Sequence, residues 1–470
     1  MVQKEAPYSF LDFQEVVFME VTEPRPQLFS NRALVGLMIP IILDALLSII
    51  AGMVDSAMVS SAGEAAVSAV SLVDSINILF ISMFASIAVG GSVVTTQYVG
   101  SRNYKQGCVS ANQLFYAGFT ISTVLMLVLL ALKEPILHKV YGHIEADVLE
   151  NALTYFSITL IGYPFSAVGN ASTAILRSMG KNRQAVTTTI AFNVINVIGN
   201  ATLIYGFHLG VAGAAISTTF SRMVFAVWSV SLAHSKKLPV HFSKLLHIRL
   251  DFDIMRRVLR IGLTNGMESS MFHIGKILIS SLVSSFGTIF IAANSVSFTI
   301  NNIGWTIVGS MGTVLLTVVG QCIGAGAPDQ AKRYTKKLLT VATVFLFVMF
   351  SFVFLMRHQL VRLFDFSEEA LEVSAYYTGV YALLSMVALY SFSFVPMSAF
   401  RAAGDIRYAI TVSIFSMFAF RVASCYLLNA LFPSLGLMCV CLGMALDWAF
   451  RAVCNIRRYR SGKWLHKKLI

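Results

Sequence analysis

The sequence predicts an all-α membrane protein, with twelve transmembrane helices in two six-helix bundles related by a pseudo-twofold axis along the membrane normal. Composition is the first observation: of 470 residues, 56% are hydrophobic and 12% charged, and mean hydropathy is +0.73. Soluble domains carry about twice that charge. The second is that residues 75–101, 106–132, 151–176, 184–221, 277–328 and 373–400 contain no Asp, Glu, Lys or Arg. About 20 apolar residues cross a bilayer as a helix, which satisfies its own backbone polar groups. A β-barrel would alternate polar and apolar residues, and this chain does not. The third is an internal repeat at an offset of 224 residues. Gln97-Tyr98-Val99-Gly100 returns as Gln321-Cys322-Ile323-Gly324, and the pairs Asn77/Asn301, Lys133/Arg357, Arg177/Arg401, Gly180/Gly404 and Arg183/Arg407 keep the same spacing. Two like halves in lipid suggest a cleft that opens to either side.

The first half holds spans 33–56, 67–96, 108–132, 150–174, 185–205 and 211–234. The second of these is overlong and is expected to extend past the membrane or to bend near Gly90-Gly91. The second half holds 255–282, 289–318, 336–356, 371–397, 408–430 and 436–455; the run 277–328 is long enough to finish one span and contain the next. Six spans per half bring both halves into the membrane from the same side, so their symmetry axis lies along its normal.

Basic residues set the orientation. Alternate segments between spans, counted from the N-terminus, hold 26 Lys and Arg, while the other set holds only Lys133, Lys139, Arg357 and Arg362. Both termini are therefore expected in the cytoplasm of a cell with this protein in its inner (plasma) membrane. The net charge of +12 reflects topology and not nucleic-acid binding, because it is spread over seven short segments. The expected domains are a cytoplasmic segment 1–30, an N-lobe 31–234, a cytoplasmic linker 235–253, a C-lobe 254–456 and a basic tail 457–470. Residues 1–30 show no cleavable signal pattern and either lie along the inner surface or are disordered. The linker reads as a solvated connector whose His234, His241 and His247 lack metal-ligand spacing. The six cysteines form neither a disulfide frame nor a metal motif. No phosphate-binding loop and no hydrolase or metalloprotease motif occurs, so the chain is read as a non-enzyme without cofactors, driven by an ion gradient or passive.

Ionisable groups inside the membrane cost about 2.5–3.5 kcal/mol each on insertion scales and mark functional candidates. Asp44, Ser48, Ala51 and Asp55 fall on one helical stripe; a cation or proton site explains it, and so does a polar packing cluster. Asn193, Asn196 and Asn200 share a face of the fifth span and offer either carbonyl oxygens to a cation or bonds to neighbouring helices. Asp74 and Asn77 make a smaller stripe, read with Asp44 as a proton or cation path. In the seventh span Asn265, Glu268, Phe272 and Lys276 share one face, with Glu268 and Lys276 about 12 Å apart along the axis. His273 points off that stripe. Arg222, Arg260, Arg421, Asp447 and Arg451 also lie in or near spans, and the last two are spaced to pair.

These residues carry a resemblance. Two six-span halves, Pro40 followed by Gly52-Met53-Val54-Asp55, Gln97–Gly100, Asn200-Ala201-Thr202-Leu203-Ile204-Tyr205-Gly206, Leu259-Arg260-Ile261-Gly262 and Ala292-Ala293-Asn294 resemble the multidrug and toxic compound extrusion (MATE) family from about residue 30 to 455. The resemblance implies antiport, in which Na⁺ or H⁺ enters as an organic cation or drug leaves through alternating V-shaped states. It places a cation-coupling site on Asp55, Asn196, Asn200 and Thr218, with one monovalent cation or proton per cycle. No metal beyond that Na⁺ is implied. The family's seventh-span acid falls at Phe272, one turn past Glu268, and residues 378–400 contain no acid, which weakens a second-lobe Na⁺ site. The expected partners are a small organic cation and membrane lipid, with the protein a monomer. A lipid or lipid-linked sugar flippase of the same superfamily is the alternative; it would line its cavity with cations, for which Arg222, Lys276 and Arg421 are available.

Overall fold

The computed structural model describes residues 27–141, 145–364, 366–387 and 389–467, apart from 244, 246 and 248. Among the described residues nine helices are long and apolar enough to span a bilayer: Asn31–Ser60, Glu64–Gly100, Tyr104–Lys139, Asn182–Gly206, Gly210–Ala233, Thr288–Gly324, Pro328–Leu355, Ile406–Leu431 and Met438–Ser461. Two bent pairs supply the fourth span, Ala146–Ile161 with Tyr163–Ser178, and the tenth, Glu368–Met386 with Leu389–Ala402. Phe252–Ser284 is the seventh. It is not among the nine because Arg260, Glu268 and Lys276 interrupt its apolar run. The reading of 1–30 falls mostly outside the described residues, but the N–H groups of Leu28 and Phe29 donate to Gln330 and Tyr334 of the ninth span, each at 3.0 Å.

The second span runs unbroken over 37 residues, the longer-than-membrane alternative of the sequence reading. Two other readings need correction. The fourth span does break, turning 43° at Gly162, because Pro164 has no N–H and restarts a helix in its first turn. The linker is not a solvated connector: Leu238, Val240 and Phe242 are buried, and Asn112 and Gln113 of the third span donate to the carbonyls of Ser243 and Arg249 at 2.7 Å.

The lobes repeat each other in backbone as well as sequence. Gly63 and Gly287, at the starts of the second and eighth spans, share φ values of 101° and 103°, which only glycine adopts freely. Between lobes, lipid gives no hydrophobic drive, so spans associate through close approach of small residues. A Cβ on Gly90 would lie 2.5 Å from the Val258 carbonyl oxygen, and one on Gly262 would lie 2.7 Å from Ile87 Cα. A Cβ on Gly100 would overlap the Gln321 carbonyl, and one on Gly324 the Gln97 carbonyl. Gln97 Nε2 donates to the Ala402 carbonyl at 2.7 Å and Gln321 Nε2 to that of Ser178 at 2.8 Å. Both donors and both acceptors are related by the repeat offset. These contacts make a twofold seal at the end of the bundle that bears the linker.

Candidate functional site

The N-lobe builds a site from its first, fifth and sixth spans. Asn200 Nδ2 donates to Asp55 Oδ1, and Asn196 Nδ2 donates to Thr218 Oγ1 at 3.2 Å. Ser217 Oγ fixes the Asn196 carbonyl at 2.9 Å. Asn200 Oδ1 is buried without a hydrogen-bond partner. The fifth span changes from α- to π-helix immediately after Asn200, over Ala201–Gly206, an irregularity common at functional sites. The family resemblance groups Asp55, Asn196, Asn200 and Thr218, and the fold joins Asn200 to Asp55 and Asn196 to Thr218.

Asp74 and Asn77 belong to an adjoining network that sequence reading saw only in part. Asp74 accepts from Asn77 Nδ2 at 3.2 Å and from the Tyr155 hydroxyl at 3.3 Å, and Tyr163 donates to Asn77 Oδ1 at 2.8 Å. Arg222 donates to the Thr159 carbonyl at 3.3 Å and lies within electrostatic reach of both Asp55 and Asp74. No sequence signal linked Tyr155, Tyr163 and Arg222 to these acids, because they come from three other helices.

Asp44 does not join this path, contrary to the sequence reading. It pairs with Arg177 at 3.1 Å. One repeat later, Glu268 pairs with Arg401 at 2.6 Å, again 133 residues apart. Asp44 and Glu268 are repeat equivalents, as are Arg177 and Arg401. That equivalence holds at the same 224-residue offset. Both pairs adjoin the seal, where Thr317 Oγ1 donates to the Arg177 carbonyl at 3.0 Å. Glu268 is thus committed to an arginine and is not a bare acid awaiting a cation.

A cavity of about 660 Å³, within the range of drug-sized sites, is lined mainly by the C-lobe and closed on one side by Ser82, Ala85, Ser86 and Val89 of the second span. Asn265, Glu268, Phe272 and Lys276 all line it, and so does His273, which sequence reading had placed off that stripe. Phe272 stacks on Trp305, with centroids 5.6 Å apart, and Trp305 meets Phe394 edge-on at 5.2 Å. Arg401, Arg421 and Arg451 complete the charged lining. Asp447 is shared between Arg421 at 2.8 Å and Arg451 at 2.7 Å; the second contact is the i,i+4 pair expected from spacing. Arg421 lies in a π-helical stretch, Ser416–Val422, so each lobe places a π-turn beside its polar cluster. Among the described residues no three His, Cys, Asp or Glu gather as for a metal ion.

Comparison with known proteins follows the same twofold pattern. The MatE family model matches twice, over residues 40–202 and 264–427. The chain is 26% identical to the uncharacterized transporter YisQ of Bacillus subtilis, over 95% of this chain and 97% of the relative. It is 22% identical to the probable multidrug resistance protein NorM of Thermotoga maritima, over 92% and 93%. Its fold superposes on the outward-facing conformation of a multidrug resistance MATE transporter with a TM-score of 0.85, at 19% identity and over 92% and 96% of the two chains. With both halves matched by that model, twelve spans and a duplicated lobe, the chain belongs to the MatE family and is a multi-pass membrane transporter.

Proposed function

We propose that this protein is a secondary active exporter that admits Na⁺ or H⁺ at Asp55 and expels a drug-sized amphiphile by alternating access. The observation that carries the reading is the half-buried Asp55 carboxylate held by Asn200, beside an Asn200 oxygen with no partner. One carboxylate amid neutral oxygens suits a single monovalent cation or proton. Charge neutralisation there would change what Asp55 and Arg222 demand of their neighbours and so bias the lobe between two packings. The excess of Lys and Arg on one side supports cytoplasmic termini and a cytoplasmic sealed end, and with them an outward-facing conformation. The protein acts as a monomer among lipids.

The test is transport by purified protein in vesicles under separate Na⁺ and pH gradients, scored on a panel of drug-sized cations and anions. Wild type moves at least one solute under one gradient, and Asp55→Asn does not. Full gradient-driven export by Asp55→Asn at equal protein content overturns the reading. The cationic lining of the large cavity favours a lipid-linked phosphate flippase as second reading. That reading predicts that headgroup-labelled lipid crosses the vesicle membrane with no ion gradient.

A further inference from the structure

We infer that the C-lobe cavity is an anion site and that the exported solute is an amphipathic organic anion, bearing a carboxylate, sulfonate or phosphate. This rests on the exporter reading for its biological sense, but the site is argued from its own side chains. Lys276, Arg401, Arg421 and Arg451 bring four positive charges against the carboxylates of Glu268 and Asp447, an excess of two. Asp447 is divided between two arginines, and Glu268 is taken by Arg401. Lys276 has no acidic partner among the described residues; its ammonium sits 4.0 Å from the Phe298 ring centroid.

The lining also holds unanswered hydrogen-bonding groups: beside the Asn265 and Asn301 amide oxygens, the donors outnumber the acceptors. Arg401 Nε, Arg421 Nε and Trp448 Nε1 are buried without acceptors, and all three residues line the cavity. Arg421 and Trp448 are 6% and 4% exposed. An acid group entering here would answer N–H donors that are costly to leave unpaired. An organic cation would meet the opposite situation. It binds by seating on aromatic faces, yet Lys276 and Arg421 already flank Phe272, at 5.9 and 5.5 Å, and Arg451 lies 5.3 Å from the Phe394 centroid. Like charges in a low-dielectric cavity add repulsion.

The repeat shows that this charge is not imposed by the fold. Both lobes keep the acid–arginine pair of Asp44–Arg177 and Glu268–Arg401. Lys276, however, stands where the first repeat has Gly52, and the ring beneath it, Phe298, stands where the first repeat has Asp74. At these neighbouring positions the C-lobe carries a cation in place of a glycine and a ring in place of an acid.

The experiment is equilibrium binding to purified protein in phosphatidylcholine nanodiscs, without any gradient, using the matched probes 1-naphthalenesulfonate and 1-naphthyltrimethylammonium. The sulfonate is expected to bind at least about tenfold more tightly, a difference of about 1.4 kcal/mol. Lys276→Gln is expected to weaken it several-fold and Lys276→Arg to restore it, with melting temperature confirming folded protein. Preference for the ammonium probe, or unchanged sulfonate binding by folded Lys276→Gln, overturns the inference. Repeating the titration with phosphatidylglycerol in the nanodiscs separates two sources of anion. Competition assigns the site to a lipid headgroup, and its absence to a free solute. Because no gradient is involved, failure of binding and failure of coupled export are read independently.

Discussion

The two lobes share one scaffold and carry opposite chemistry. Where they coincide, the residues do mechanical work: the glycines of the seal, Gln97 and Gln321, and the acid–arginine pairs next to them. Where they diverge, charge follows function. The N-lobe presents Asp55 and Asp74 with one arginine, Arg222, while the C-lobe presents an excess of cations around a cavity. Symmetry-related residues thus hold the lobes together, and on the reading proposed above the residues that break symmetry choose what binds.

The largest effect expected is on the asymmetric side. Asp55→Asn removes the carboxylate with little change in shape, and gradient-driven efflux in vesicles should fall to that of protein-free controls; an equivalent loss from Ile279→Asn, at the repeat position, would show that the lobes do not divide the labour this way. Next comes the shared seal. Gly100→Val forces a side chain into the Gln321 backbone, and overpacking of about 1–3 kcal/mol would shift the closed population by about 5- to 150-fold. Mass-spectrometric maleimide labelling of Cys322, fully buried in this seal, should speed up accordingly.

A smaller effect tests the twin ion pairs. Asp44→Asn and Glu268→Gln each leave a guanidinium without its carboxylate. Breaking a fully buried pair costs about 3–5 kcal/mol, but these arginine side chains remain 25% and 21% exposed, so a loss on the order of 1–2 kcal/mol is expected. Thermal unfolding should show similar drops for the two variants. Only Glu268→Gln should also tighten sulfonate binding, because only Glu268 lines the cavity. The smallest effect is that of Thr218→Ala, which removes one neutral hydrogen bond worth about 1 kcal/mol and should raise the half-saturating coupling-ion concentration about fivefold. No change in that concentration would place Thr218 outside the coupling site.

Much of this was legible in advance for a physical reason. Helical periodicity alone puts Asn193, Asn196 and Asn200 on one face of the fifth span, whereas their grouping with Asp55 and Thr218 came from the family resemblance. The pairing of Asp447 with Arg451 is local and followed from spacing. Arg421 joining the same carboxylate did not, since it comes from the preceding span through a π-turn that shifts its direction. The linker misled because its apolar residues, Leu238, Val240 and Phe242, alternate over only five residues amid polar sequence; they are buried against the third span.

By itself the sequence determined that the chain lives in lipid and that it is two copies of one unit. Those properties follow from local hydropathy and a constant offset. Only the tertiary structure decided which charges are already neutralised. Glu268 and Lys276 lie two turns apart on one helix face, yet one is held by Arg401 and the other rests on an aromatic ring. An ionic partner is chosen by distance in space, and the residues that supply it here come from spans more than a hundred positions away.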